Sequence, residues 1–209
     1  MVVGIDIVSD VICPWCYIGK RRLEKAVAAL AGSREVRVRW LPFQLNPQMP
    51  KEGISRKEYR TRKFGSWERS LALDAQVAAA GEEEGIHFAF DRIERTPNTL
   101  DAHRLIELAD AEDVQDAVVE ALFRAYFTDG RDISNRQTFI DVVAEAGLDR
   151  CKVEATLQSA SGQAAFQEAG QLTQRFPVEG VPFFIINDRI TLSGAQPPDA
   201  FLAAFKQVK

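Results

Sequence analysis

Cys13-Pro14-Trp15-Cys16 is the most reactive stretch of this 209-residue chain. Two thiols three positions apart on a helix stand nearly one turn from each other, close enough to close a small disulfide ring. The pair follows the apolar run Val2-Val3-Gly4-Ile5-Asp6-Ile7-Val8 and opens a helix-like segment. The first N–H groups of a helix lack intrahelical partners, so they favour an anion such as a thiolate, by about 0.3–1 kcal/mol from the dipole. Pro14 suits the first helical position, where its missing N–H would have gone unused. Cys13 is therefore expected to be a reactive thiol, and the chemistry of the pair is making and breaking a disulfide.

Half of a zinc site is the alternative reading of two cysteines at this spacing. A structural zinc needs four ligands, usually supplied by a second such pair or by two closely spaced histidines. Here only Cys151, His87 and His103 remain, each alone and distant in sequence. No metal is expected, and a CxxC beside a β-α-β pattern favours redox chemistry.

The composition sets bounds on the rest. With 46% hydrophobic residues the chain can bury a sizeable core. Its 26 basic and 30 acidic residues leave a formal net charge of −4, which argues against a bulk nucleic-acid binder. The basic stretch from Arg56 to Lys63 is a candidate polyanion patch, but reads first as the solvated face of a helix begun by the capping box Ser55-Arg56-Lys57-Glu58. No apolar run approaches the roughly 18 residues of a membrane span, so no membrane partner is expected. The first strand starts at Val2 with no secretory pattern before it, and with only three cysteines this points to a reducing cytoplasm.

Spacing then predicts the elements that position the pair. Residues 2–8 read as a buried strand, 14–31 as a helix with Leu23, Val27 and Leu30 on one face, and Val36, Val38 and Trp40 as a second strand. A β-α-β unit of this kind carries parallel strands. Residues 54–176 read as helical almost throughout, with starts at Ser55, Asn98 and Ser134 and stops at Gly85, Gly130 and Gly147. Ile86 to Phe90 reads as a short extended piece. After Phe176-Pro177 the pattern returns to strands: Phe183 to Ile186 and Ile190 to Leu192 form a hairpin about Asn187-Asp188, and Pro197-Pro198-Asp199 opens a last helix. The expected fold class is α/β, β-α-β then β-β-α, interrupted by a large all-helical insertion. Residues 1–50 and 177–209 would form the split domain, and 51–176 the insertion.

Five stretches resemble the DsbA-like thioredoxin-fold family, in particular its cytoplasmic FrnE-like branch: SDVICPWCYIGKRRLE (9–24), LPFQLNP (41–47), NTLDAHRL (98–105), GVPFFIIND (180–188) and SGAQPPDAF (193–201). The resemblance implies a thioredoxin fold split by a helical domain. It implies that Cys13 is the attacking thiolate and Cys16 the resolving thiol. It also places Val181-Pro182 at the family's cis-proline, facing the CxxC, although only about 5–6% of X–Pro bonds are cis in general. Such a bond leaves the Val181 backbone free to pair with a substrate chain as an added strand. Trp15 stands where periplasmic members carry a His that favours strong oxidation, so a disulfide reductase or isomerase is the expected activity.

The same resemblance extends to kappa-class glutathione transferases and 2-hydroxychromene-2-carboxylate isomerases, which carry a Ser at the position of Cys13. By that analogy Asn46-Pro47 and Asn98-Thr99 would line a glutathione pocket. The function expected first is a thiol–disulfide oxidoreductase acting on protein or peptide thiols and disulfides, with no bound cofactor and glutathione as a candidate redox partner. A glutathione-dependent transferase or isomerase is the alternative, and a binding module or chaperone using the helical surface without chemistry is a third. Pro14, Trp15 and Val181 would contact substrate, with Phe183 either beside them or in the core. His103 is a candidate proton acceptor for the thiols, though such a His is more often structural. Cys151, following the N-cap candidate Asp149, is expected to be a small buried apolar group rather than a second redox thiol.

Overall fold

The computed structural model describes residues 2–30, 32, 34–159, 164–176 and 178–208. β1 (Val2–Ser9), α1 (Pro14–Ala29) and β2 (Glu35–Pro42) form where the spacing predicts them. β2 runs parallel to β1, with Val2 opposite Glu35 and Ser9 opposite Pro42. Val3, Ile5, Ile7 and Val8 of β1 are all buried. A strand covered on both faces reads as a nearly continuous apolar run rather than an alternating one. Helix α1 ends two residues short of the expected boundary, whose last residue, Ala31, lies outside the described residues.

The returning strands complete a four-stranded sheet of order β2-β1-β5-β6. β5 (Phe183–Ile186) pairs antiparallel with β1, and β6 (Ile190–Ser193) antiparallel with β5. The turn between them puts Asn187 and Asp188 at φ 47° and 55°, a left-handed conformation that these two residue types tolerate better than most. Asn187 also accepts a hydrogen bond from the Gly4 N–H at 2.7 Å, tying the hairpin to β1. α9 (Pro198–Gln207) opens with Pro198 and drives Phe201 edge-on into Phe184. α8 (Ala164–Arg175), within the stretch expected to form the helical insertion, lies against the sheet. There Ala169 packs with Val8, Leu41, Phe183 and Ile185, and Glu168 pairs with Arg39 at 2.6 Å. Pro177, expected at the return to strands, lies outside the described residues.

The intervening helices are α2 (Arg56–Phe64), α3 (Trp67–Glu82), α4 (Leu100–Ala111), α5 (Gln115–Phe127), α6 (Arg136–Glu145) and α7 (Arg150–Gln158). Ser55 caps α2 as expected, accepting from the Glu58 N–H. Two other starts shift by one residue. Asn98 accepts from the Leu100 N–H at 2.9 Å, an Asx turn upstream of the actual cap Thr99. Asn135 caps α6, because the Ser134 hydroxyl is engaged by Asp132. The segment from Ile86 to Phe90 forms no strand; Phe90–Arg92 is a 3-10 turn, and the Phe88 and Phe90 rings stack at 4.8 Å. A short ladder of β3 (Ile54–Ser55) with β4 (Arg95–Thr96) was not expected, since two-residue strands leave too little pattern to read.

Aromatic packing joins the helical part to the sheet. Tyr17 on α1 stacks on Phe123 of α5 at 5.1 Å, and Trp40 of β2 meets Phe123 edge-on at 6.1 Å. Gln115 completes the joint: its side chain accepts from the Trp40 N–H at 2.8 Å and donates to the Trp40 carbonyl at 3.1 Å. β2 is an edge strand, and this pairing satisfies the backbone of Trp40 on it. Phe123→Ala is therefore expected to cost about 3–5 kcal/mol in urea unfolding, within a single transition. Two separated transitions in the unaltered chain would contradict a core shared by both parts.

Candidate active site

The two cysteines sit where β1 gives way to α1. Cys13 is the N-cap residue, with φ −95° and ψ 110°, and no side chain caps the helix there. Its N–H donates to the Asp10 carbonyl at 3.0 Å, and the Cys16 N–H donates to the Cys13 carbonyl at 3.0 Å. Asp10 is fully buried and braces this loop: one carboxylate oxygen accepts from the Leu45 N–H at 2.7 Å, the other from the Ile12 N–H at 3.5 Å. Across the groove, the Val181-Pro182 peptide bond is cis, and the Cys13 thiol donates to the Val181 carbonyl at 3.4 Å. Gly19 allows this close approach, since a Cβ there would lie 3.0 Å from Phe184 and 3.1 Å from Pro182.

Both cysteines are buried as free thiols, Cys13 at the wall of a cavity and Cys16 behind it. Burial pushes the Cys16 thiol well above its ordinary value, and the nearby Cys13 sulfur adds to the effect. Hydrogen bonds from the Ser9 hydroxyl and the Asp10 backbone act in the opposite direction. Folded Cys16 thus keeps its proton at a pH where an unfolded thiol loses it. The unfolded state binds fewer protons there, so this contribution to stability declines as pH rises above about 8.5. Urea midpoints of the reduced protein should fall across that range more steeply than those of Cys16→Ala. Equal slopes would contradict the burial argument.

A cavity of about 470 Å³ opens beside Cys13 and runs between the CxxC loop and α2 and α3. Pro14, the 40%-exposed Trp15 and Val181 line its mouth with Cys13. Phe183 faces the core at 3% exposure, which settles its two expected alternatives. Arg56, Arg60 and the exposed Lys63 also line the cavity. Their stretch was expected to be a solvated helix face, and Lys57, Glu58, Arg62 and Lys63 are exposed; Arg56, however, is buried, and both arginines bind Asp74 of α3 at 2.7 Å. The correction follows from a buried partner 18 residues downstream, which no local spacing reveals. Burial holds the Arg60 pKa below its ordinary value, with Arg56 assisting and Asp74 opposing.

Other candidates occupy different places. Asn46 accepts from the Tyr59 hydroxyl at 2.9 Å, while Asn98 donates to the Met49 carbonyl at 2.6 Å. Neither lines the cavity at Cys13; Asn98 borders a second cavity of about 320 Å³ near Asp101 and Arg136. His103 is buried behind the Asp10 loop, with Nε2 3.0 Å from the Phe43 carbonyl and 3.5 Å from Asp10. Asp149 caps α7 as expected, but Cys151 in its first turn is exposed rather than buried. An amphipathic helix begins its polar face at any point of its first turn, so the cap does not fix a burial.

A β-α-β unit, a β-hairpin and a closing helix, with a cysteine pair at the first helix and a cis-proline opposite, define a thioredoxin-fold protein with an added helical part. The DSBA-like thioredoxin domain family matches residues 4–206, and the chain belongs to that family. A probable DsbA oxidoreductase of Streptomyces coelicolor is 32% identical, with a TM-score of 0.88 over 98% of this chain and 89% of the other. The uncharacterized protein YwbO of Bacillus subtilis is 26% identical over 96% of this chain and 94% of its own length. The cytosolic disulfide reductase DsbM of Pseudomonas aeruginosa, solved with GSH, shares the fold at 22% identity, with a TM-score of 0.68 over 98% of this chain and 100% of the other. Among the described residues no helix is long and apolar enough to cross a membrane.

Proposed function

We propose that the protein is a thiol–disulfide oxidoreductase that reduces or isomerises disulfides of protein and peptide substrates, using Cys13 and Cys16 as its redox pair. The observation that carries this reading is the uncapped start of α1, with Cys13 Sγ 3.4 Å from the carbonyl of Val181 in the cis peptide bond. The Cys13 thiolate attacks one sulfur of the substrate disulfide, forming a mixed disulfide and releasing the other sulfur as a thiolate. Cys16 then gives up its proton and attacks Cys13 Sγ, forming the enzyme disulfide and releasing the second substrate thiolate. The reverse sequence oxidises a substrate dithiol. An extended substrate would lie along Val181 as an added strand, with Trp15 and Pro14 flanking the sulfurs.

Glutathione is the proposed redox partner and the cytoplasm the proposed compartment. Both are supported by the likeness to a reductase described as cytosolic and solved with GSH, and by Trp15 in place of a motif histidine. Insulin precipitation in dithiothreitol tests the activity: the protein should accelerate B-chain turbidity well beyond dithiothreitol alone, and an unaccelerated curve would count against the reading. The cavity of about 470 Å³ beside Cys13 favours a second reading, a glutathione-dependent transferase or isomerase of small aromatic compounds. Calorimetry with glutathione separates the two. Binding together with turnover of an aromatic substrate in a Cys13→Ser variant would favour the second.

A further inference from the structure

Three cations and one carboxylate line the cavity beside Cys13: Arg56, Arg60 and Lys63 against Asp74. Both arginines share the two oxygens of that single carboxylate, each at 2.7 Å, and Arg60 also donates to the neutral Ser70 hydroxyl and carbonyl; among the described residues no second carboxylate balances the other guanidinium charge. Among the described residues Lys63 donates only to the neutral Tyr59 hydroxyl, at 2.8 Å. The remaining walls, among them Phe64, Leu73, Val77 and Phe127, are apolar. Charge left uncompensated in an apolar, part-closed space is costly unless a ligand supplies the missing anion. The volume admits a small molecule rather than a folded segment.

We infer that this cavity binds a low-molecular-mass thiol or disulfide whose apolar, aromatic body carries a carboxylate, with Arg60 and Lys63 taking the carboxylate and the sulfur presented to Cys13. This rests on the disulfide reading of Cys13 and Cys16 and names a substrate class for it. The Cys13 thiolate attacks one sulfur of the aromatic disulfide, forming a Cys13–S–aryl bond and releasing one arenethiolate. Cys16, its proton passing to solvent, attacks Cys13 Sγ; the Cys13–Cys16 disulfide forms and the second arenethiolate leaves. The enzyme dithiol loses two electrons and the substrate disulfide gains two. Guanidinium suits this site because its planar fork grips a carboxylate while remaining charged.

Single-turnover mixing of the pre-reduced protein tests the inference, in a Cys151→Ser background that removes the exposed third thiol. One oxidant is 5,5′-dithiobis(2-nitrobenzoate), anionic and aromatic; the other is 4,4′-dithiodipyridine, aromatic and uncharged. Rates are divided by those of dithiothreitol with the same reagents, which removes intrinsic reactivity. The corrected rate ratio should favour the anionic disulfide by about tenfold, the scale of one charge-assisted hydrogen bond. Arg60→Met leaves Arg56 and Asp74 as a balanced pair and should erase most of that preference, whereas Arg60→Lys should retain much of it. Lys63→Gln, on the exposed side of α2, should lower the preference severalfold without touching the buried pair. 4-Nitrobenzoate, which has no sulfur, should compete with the anionic disulfide in the unaltered protein and not in Arg60→Met. No anionic preference, or one unchanged in both Arg60→Met and Lys63→Gln, would overturn the inference while leaving the disulfide reading intact. Failure to reduce either reagent would instead strike the disulfide reading itself.

Discussion

A Cys13→Ala variant is expected to lose insulin-reducing activity entirely, down to the rate of dithiothreitol alone. Cys13 is the cysteine at the uncapped helix start, and it alone of the three lines the cavity and reaches Val181. Cys16 lies behind it, with burial holding its proton in place. It cannot take over the first attack, because only a thiolate is an effective nucleophile. The fold should survive the change: Cys13 contributes its backbone to the Asp10 turn, and alanine retains that N–H. Far-ultraviolet circular dichroism and the urea midpoint of the variant should therefore match the parent within about 1 kcal/mol. Retention of substantial activity in a folded Cys13→Ala protein would end the proposed mechanism.

Cys16→Ala should give the opposite kind of result, in which the first step proceeds and the second does not. The mixed disulfide on Cys13 then accumulates, because the intramolecular attack that would release it is gone. Intramolecular delivery of a well-placed group corresponds to effective concentrations of about 10⁵ M or more. An external thiol at millimolar concentration cannot match that. Non-reducing electrophoresis after exposure to an oxidised peptide should show a covalent adduct that dithiothreitol dissolves, and mass mapping should place it on Cys13. Absence of an adduct, with Cys13 still titratable, would mean that Cys13 is not the attacking sulfur.

Much of the scaffold was legible in the sequence for identifiable reasons. β1 is covered on both faces, so its sequence is an apolar run; β2 is half covered, so Val36, Val38 and Trp40 alternate with charged residues. Asn187-Asp188 marks a turn because few other residues accept its left-handed backbone. The shifted caps at Asn98 and Ser134 show the opposite case. Asn and Ser also form turns one residue ahead of a helix, and only the completed hydrogen bond decides which. The cysteine motif was legible because its chemistry is local to four residues.

The cavity was not legible, because its parts are distant in the chain. Arg60 looks like one more solvated charge until Asp74 of α3 folds against it. Placement of α8 on the sheet likewise depends on Ala169 meeting Val8 and Phe183, a contact that no periodicity in 164–175 encodes. Asn46 and Asn98 read as pocket residues by analogy; their hydrogen bonds to Tyr59 and Met49, and the place of Asn98 at a second cavity, depend on contacts distant in the chain.

A redox titration in glutathione buffers decides whether Cys13 and Cys16 act as one redox pair. Free thiols are alkylated at each poise and the adducts counted and mapped by mass. One reversible two-electron transition is expected, in which Cys13 and Cys16 lose their labels together while Cys151 keeps its own. Its midpoint ranks the protein, with a value near that of thioredoxin, about −270 mV, marking a reductase and a clearly higher one an isomerase or oxidant. Independent titration of the two cysteines, or a glutathione adduct on Cys13 with no Cys13–Cys16 disulfide at any poise, would contradict that pairing.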